Sequence, residues 1–341
     1  MSSTTRLVDV HTHLYPEWYL DVLAERDRVP KVVDDGQGGR SFVIFAEEDE
    51  PGGVGRPMDD TYWSEQRKVE FMDSAGISES WVSLGNPWLD PLDGQGSQDL
   101  ARRANEWFAA MPERTGNRCR GFGVLPSNAV GAACEIVAEI AGSPLAGVTI
   151  GSAVCGLALD DPSLAPLWQL LEDARIPVLL HPSPGLGMDV MKGFGHALAV
   201  GMAFPFETSA ALARLMFSGV LIRHPDLVLI GSHGAGTIPY LVHRLDAAWR
   251  SDPSLHERAP EPPSVVAARL YADTITYGAA PLRAAVELFS AERLMFGTDH
   301  PFSIADPGGN VEAIDAVVTG PDREAVRSGT ADALAAASVD T

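Results

Sequence analysis

The apolar residues of this chain fall into short continuous runs separated by amphipathic stretches. Eight runs have strand length: 6–10 (RLVDV), 80–85 (SWVSLG), 121–126 (GFGVLP), 147–151 (GVTIG), 176–181 (IPVLLH), 226–233 (DLVLIGSH), 269–274 (RLYADT) and 293–299 (RLMFGTD). They are continuous rather than alternating, as strands buried on both faces require. Helical spacing marks the stretches between them, among them SEQRKVEFMDSAG, PLWQLLEDARI, SAALARLMFSGVLIRHP and PYLVHRLDAAW. Eight strands alternating with helices close most simply as a (β/α)₈ TIM barrel of the α/β class, so residues 1–341 are expected to form one domain. Two stretches depart from the repeat. Residues 30–60, rich in Gly, Asp and Pro around SFVIF, read as a hairpin or lid inserted after the first strand, and 182–207 as a long Gly-rich loop after the fifth. Residues 320–341 read as a closing helix.

A barrel of this kind places its chemistry at the C-terminal ends of its strands. His11 and His13 follow directly on the first run, where its strand ends; His181 ends the fifth, His233 the sixth and Asp299 the eighth, and Asp273 lies near the end of the seventh. Residues i and i+2 of a strand share a face, so the two imidazoles of VDVHTH can address one centre. With His181 and Asp299 they supply an N₃O set that suits Zn²⁺, with Mn²⁺ or Fe²⁺ as alternatives, and leaves room for water or substrate. Each residue alone has an ordinary structural explanation: a strand-end histidine, a hydrogen-bonded core histidine, an Asx turn before a proline. Their convergence on one rim is what those explanations do not account for.

Four groups suffice for one ion, which leaves His233, flanked by glycines in GSHGAG, for proton transfer or for polarising a carbonyl. Asp273 in YADT either orients a ligand or caps the following loop. His300 and Phe302, in the same turn as Asp299, are expected to face substrate. His224, His243 and His256 read as structural.

Charge narrows the partners. The formal net charge is −21, with 46 acidic residues against 25 lysines and arginines. Nucleic acid and anionic membrane surfaces are therefore repelled, whereas a small carboxylic acid can still be held where a metal and a few arginines reverse the local field. The three cysteines, Cys119, Cys134 and Cys155, have neither disulfide nor metal spacing and fit a reducing cytoplasm. No apolar run approaches the roughly 18 residues of a membrane span, and MSSTTRLVDV has no signal-type core, so neither an anchor nor export is expected.

The segments VDVHTHLYP, GFGVLP, GVTIGS, LLHPSPG, GMAFPFETSAALARLMFSGVLIRHPDLVLIGSHGAG, YADT and LMFGTDHPF, in this order, resemble the amidohydrolase superfamily. Within it the likeness is to the decarboxylase branch typified by α-amino-β-carboxymuconate-ε-semialdehyde decarboxylase and the resorcylate-type decarboxylases. The resemblance implies His11, His13, His181 and Asp299 as metal ligands and His233 as the catalytic histidine. It also implies a single ion, since no lysine stands at a strand end: Lys31 lies in the insertion, Lys68 on a helix and Lys192 in a loop. Arg244, eleven residues after His233, matches an arginine that enters the neighbouring subunit's pocket to hold a carboxylate, which implies at least a homodimer. A second carboxylate-binding arginine of that branch is replaced by Val43 in GGRSFVIF, leaving Arg40 or Arg56 as substitutes and pointing to a different acid.

The expected activity is metal-dependent, non-oxidative decarboxylation of a small aromatic or enol-type carboxylic acid, with the proton supplied by Asp299 or His233. The runner-up is a hydrolase or hydratase in which water activated at the same site attacks a lactone, an amide or a conjugated acid. A non-catalytic, metal-stabilised scaffold is the third reading. It leaves His233 without a purpose.

Overall fold

The computed structural model describes residues 6–34, 39–53, 55–92, 96–191, 193–194 and 196–337. Eight parallel strands form the barrel: Val8–His13, Glu79–Ser83, Cys119–Val124, Gly147–Ile150, Val178–Leu180, Leu229–Gly231, Tyr271–Asp273 and Leu294–Met295. The first and last strands meet through backbone hydrogen bonds from Val10 N to Phe296 O (2.9 Å) and from Asp299 N to His11 O (2.8 Å). Most strands stop short of the apolar runs that announce them. Beyond Leu180, Gly231 and Met295 the main chain leaves the ladder and turns its polar side chains over the mouth.

The barrel interior is packed with Val8, Val10, Trp81, Phe122, Leu179, Ile230 and Met295. Ala331 and Leu334 of the terminal helix Thr330–Ala337 join this cluster and close the end opposite the site. A larger apolar layer lies between strands and helices. Helix Glu65–Ala75 shows the local logic: Ser64 Oγ accepts from Arg67 N at its start, and Gly76, at φ 68°, ends it in the left-handed conformation. Its inner face buries Met72 and, unexpectedly for a charged side chain, Lys68.

The stretch after the first strand is a three-stranded antiparallel sheet, Lys31–Asp34, Arg40–Val43 and Arg56–Met58, seated on buried Val32, Phe42 and Met58. The stretch after the fifth strand is more ordered than a Gly-rich loop: a π-helical turn, Ala199–Ala203, leads directly into helix Phe204–Phe217. The C-terminal stretch is two helices, Gly320–Glu324 and Thr330–Ala337, joined by a π-helical turn. Lys192 and residues 338–341 lie outside the described residues. Among the described residues no helix is long and apolar enough to cross a membrane.

Candidate metal and active site

Simple alternation would put His11 and His13 on the wrong side of the barrel. Val8 and Val10 point inward, so strict period 2 would send Asp9, His11 and His13 outward. The register shows the solution: Asp9 pairs with Ser80 but Thr12 with Val82, so one extra residue of the first strand is accommodated between Asp9 and Thr12. Such a bulge exchanges the two faces. The Asp9 carboxylate holds it, accepting hydrogen bonds from His11 N (3.2 Å), Thr298 N (3.1 Å) and Thr298 Oγ1 (2.7 Å).

Four imidazoles then meet one carboxylate. The rings of His11, His13 and His181 have centroids 5.0–5.1 Å apart, and the His233 ring lies 5.0 Å from His11 and 5.4 Å from His181. Asp299 Oδ1 is 3.1 Å from His13 Nε2 and 3.6 Å from His11 Nε2, while its Oδ2 is 3.6 Å from His233 Nε2. One ligand atom each from His11, His181, His233 and Asp299 all lie within 4.8 Å of one another. The set defined by mutual distance thus contains His233, with His13 bonded to the same carboxylate.

The donors fit a divalent cation. His11 Nε2, His181 Nε2 and His233 Nδ1 are buried with no hydrogen-bond partner, which is costly for imidazole nitrogens unless an ion or substrate engages them. Two of the rings are anchored from their other side: His11 Nδ1 lies 2.6 Å from Asp273 Oδ2 and His13 Nδ1 2.9 Å from Ser83 Oγ. A ring nitrogen so anchored aims the other at a metal. Burial and the neighbouring histidines push His181 well below the usual imidazole range, and burial brings His13 down to about 4. Both therefore present lone pairs. Burial works to raise the Asp299 carboxyl, but hydrogen bonds from His13 and His233 hold it well below the usual carboxylate range.

Asp273 has two duties. Besides anchoring His11, it accepts from His233 N (2.8 Å), Gly234 N (2.9 Å) and Ile275 N (2.9 Å). His233 sits at φ 54°, ψ 49°, a left-handed conformation uncommon for a residue with a side chain. The two N–H bonds at residues 233 and 234 hold that turn. Gly297 allows the arrangement to close, because a Cβ there would lie 3.1 Å from His11 Cβ and 3.2 Å from Asp273 Cβ.

A cavity of about 500 Å³ opens on the cluster. His181, His233 and Asp299 form its floor, and its walls include Phe45, Phe204, Phe302, Tyr240 and Tyr277, from both stretches that interrupt the repeat and from the rim loops. Phe302 is where sequence reasoning puts it, with its ring centroid 5.0 Å from that of His13. Of the two candidate arginines only Arg56 reaches the cavity, with its guanidinium 4.6 Å from the centroid of Phe302 and its buried Nε without a partner. Arg40 is paired with Asp21 and Asp34. Arg244 is exposed on helix Ile238–Ser251 and does not line its own chain's cavity.

The expectation for His300 needs correction. Its Nδ1 lies 2.6 Å from Lys68 Nζ and its ring stacks on Phe71 at 3.7 Å, outside the cavity lining. Asp299 sits at φ 60°, in the left-handed region, so the chain turns sharply there and, with Asp299 facing the cavity, carries the His300 ring away from it to Lys68 and Phe71. Sequence reasoning also missed Asn86, whose Nδ2 donates to Pro182 O (3.0 Å) and whose Oδ1 is buried without a partner at the cavity wall. Its position just past the second strand, in LGNPW, was the available signal.

Comparison with known proteins agrees with this geometry. The amidohydrolase family profile matches residues 8–334. A γ-resorcylate decarboxylase from Rhodococcus jostii is 30% identical over 82% of this chain and 87% of its own. The 2-amino-3-carboxymuconate-6-semialdehyde decarboxylase of Dictyostelium discoideum is 26% identical over 90% of this chain and 85% of its own. Among solved structures, the apo form of Metarhizium anisopliae IDCase superposes with a TM-score of 0.91 at 29% identity, covering 98% of this chain and 99% of that one. A bulged first strand that turns two histidines to the mouth, a carboxylate from the last strand's loop and a family match over nearly the whole chain agree: this protein belongs to the amidohydrolase superfamily, in its decarboxylase branch.

Proposed function

We propose that the protein, as one domain, removes CO₂ from a small aromatic or enol-type carboxylic acid, with His11, His13, His181 and Asp299 holding one divalent ion, Zn²⁺ first and Mn²⁺ second. The observation that carries this is the cluster of partnerless imidazole nitrogens at the floor of an aromatic-walled cavity. When bound, the ion supplies a Lewis-acid template for the substrate's carboxylate and adjacent oxygen. Phe302 and the other aromatic walls hold a planar ring in place and exclude water. Arg56, with a free buried Nε, takes the anionic charge. His233, whose Nε2 faces Asp299 Oδ2 at 3.6 Å, is placed to pass the proton to the substrate. Delivered to the carbon that bears the carboxylate, it forms a C–H bond, the C–C bond to the carboxylate breaks, and CO₂ leaves with the ring's electrons restored.

Arg56→Ala is expected to raise KM about tenfold or more with a smaller change in kcat, as loss of a charge-assisted hydrogen bond predicts; steady-state kinetics check it. Dialysis against a chelator is expected to abolish CO₂ release from the hydroxybenzoate that the protein accepts, and one equivalent of Zn²⁺ or Mn²⁺ per chain to restore it. Activity that survives complete metal removal would contradict the reading.

The protein acts as a homodimer in this proposal. Tyr240, 86% exposed, stands at the cavity mouth one helical turn before Arg244, so a second copy seated there would cover Tyr240 and meet Arg244. The free state of Cys119, Cys134 and Cys155 supports a reducing cytoplasm.

A further inference from the structure

The two stretches that interrupt the barrel repeat meet at one ion pair, and it borders the cavity. Glu48, from the inserted sheet region, has a side chain only 8% exposed, and its Oε2 accepts hydrogen bonds from Ile44 N (2.8 Å) and Phe45 N (3.0 Å). These backbone bonds fix the carboxylate. Its Oε1 lies 2.6 Å from Nε2 of His196, which comes from the stretch after the fifth strand. The His196 ring leans on Phe45, with centroids 5.1 Å apart, and both residues line the cavity. Burial lowers the pKa of His196, the Glu48 charge opposes that, and the Arg56 guanidinium, which lines the same cavity, lowers it further. No close contact joins His196 to the metal cluster among the described residues.

We propose that His196, oriented by Glu48, is a specificity-determining residue of the cavity wall, reading a hydrogen-bond donor on the substrate ring. A carboxylate beside Nε2 selects the tautomer with the proton on that nitrogen, which leaves Nδ1 as an acceptor. A hydroxyl or ring N–H on the substrate supplies the hydrogen bond that such a nitrogen accepts. A ring bearing only hydrogen there leaves the imidazole unpaired, and a site built this way discriminates against it. The inference rests on reading the cavity as an acid-binding site and names the substituent that the acid carries.

The test is calorimetric titration of the metal-loaded protein with 2,4-dihydroxybenzoate and 2-hydroxybenzoate, which differ only in the hydroxyl para to the carboxylate. The wild-type protein is expected to prefer the first about tenfold, the scale of one hydrogen bond. His196→Phe, which keeps a ring on Phe45 but no nitrogen, is expected to bring the ratio close to one with metal content per chain unchanged. His196→Asn, with a polar atom near the Nδ1 position, restores part of the preference, and Glu48→Gln, which no longer fixes the tautomer, gives an intermediate ratio. A preference that persists in His196→Phe, or a wild-type protein that binds the two equally or binds neither, overturns the proposal. CO₂ is measured in the same samples, so that any heat of turnover is separated from binding; absence of CO₂ with the discrimination intact would fault the decarboxylase reading and leave His196 in its role.

Discussion

Replacing His233 with asparagine is expected to lower turnover by about 10²- to 10⁴-fold, the range supplied by a positioned acid or base, and to leave the metal content near one ion per chain. Asparagine tolerates the left-handed backbone that residue 233 adopts, so the turn and its bonds to Asp273 survive the change. What disappears is a group that can hold and release a proton opposite Asp299 Oδ2. Metal analysis beside CO₂ release separates this role from its competitor. The ligand atoms of His11, His181 and Asp299 lie within 4.8 Å of one another and of one from His233, so a variant that loses its ion along with its activity would make His233 a ligand and shift the proton-transfer role elsewhere.

Asp273→Ala is expected to be damaging in a different way. It removes at once the partner of His11 Nδ1 and the acceptor for three backbone N–H groups, at His233, Gly234 and Ile275. Losing one member of a buried charged network costs about 3–5 kcal/mol, and freeing a metal-orienting histidine costs about 10- to 100-fold in metal affinity. Urea unfolding of the metal-free protein reads the first effect, and titration with Zn²⁺ or Mn²⁺ the second. In the native protein burial works to raise the Asp273 carboxyl, and the His11 bond and charge more than offset it, so the group is an acceptor throughout. A variant with native stability and native metal affinity would show that Asp273 merely caps its loop.

The sequence made the barrel legible because strands buried on both faces must be continuously apolar, and because the polar residues that end them have no reason to cluster unless they share a rim. His11, His13, His181, His233 and Asp299 stood out on that argument, and the structure gathers all five. The bulge at Asp9 to Thr12 was not legible, since one extra residue changes the facing of side chains without changing composition. Lys68 was read only as a helical lysine. It is 1% exposed, because His300, turned outward, and Thr12 Oγ1 (2.7 Å) supply partners that are 232 and 56 residues away. Arg56 could not be separated from Arg40 without the sheet register, which places Arg56 across from Phe42 at the cavity and leaves Arg40 to Asp21 and Asp34. His196 carried no signal, since a histidine in a Gly-rich stretch acquires meaning only from Glu48.

The most direct test of the central claim is to follow the carboxyl carbon. Metal-loaded protein is incubated with hydroxybenzoates carrying ¹³C in the carboxylate, 2,6-dihydroxybenzoate and 2,4-dihydroxybenzoate among them, and both gas and solution are analysed by mass spectrometry. The account predicts ¹³CO₂ and the decarboxylated phenol in equal amounts, dependent on the metal and lost with His233→Asn. A transformed product that retains the label, hydrated or ring-opened, would contradict it.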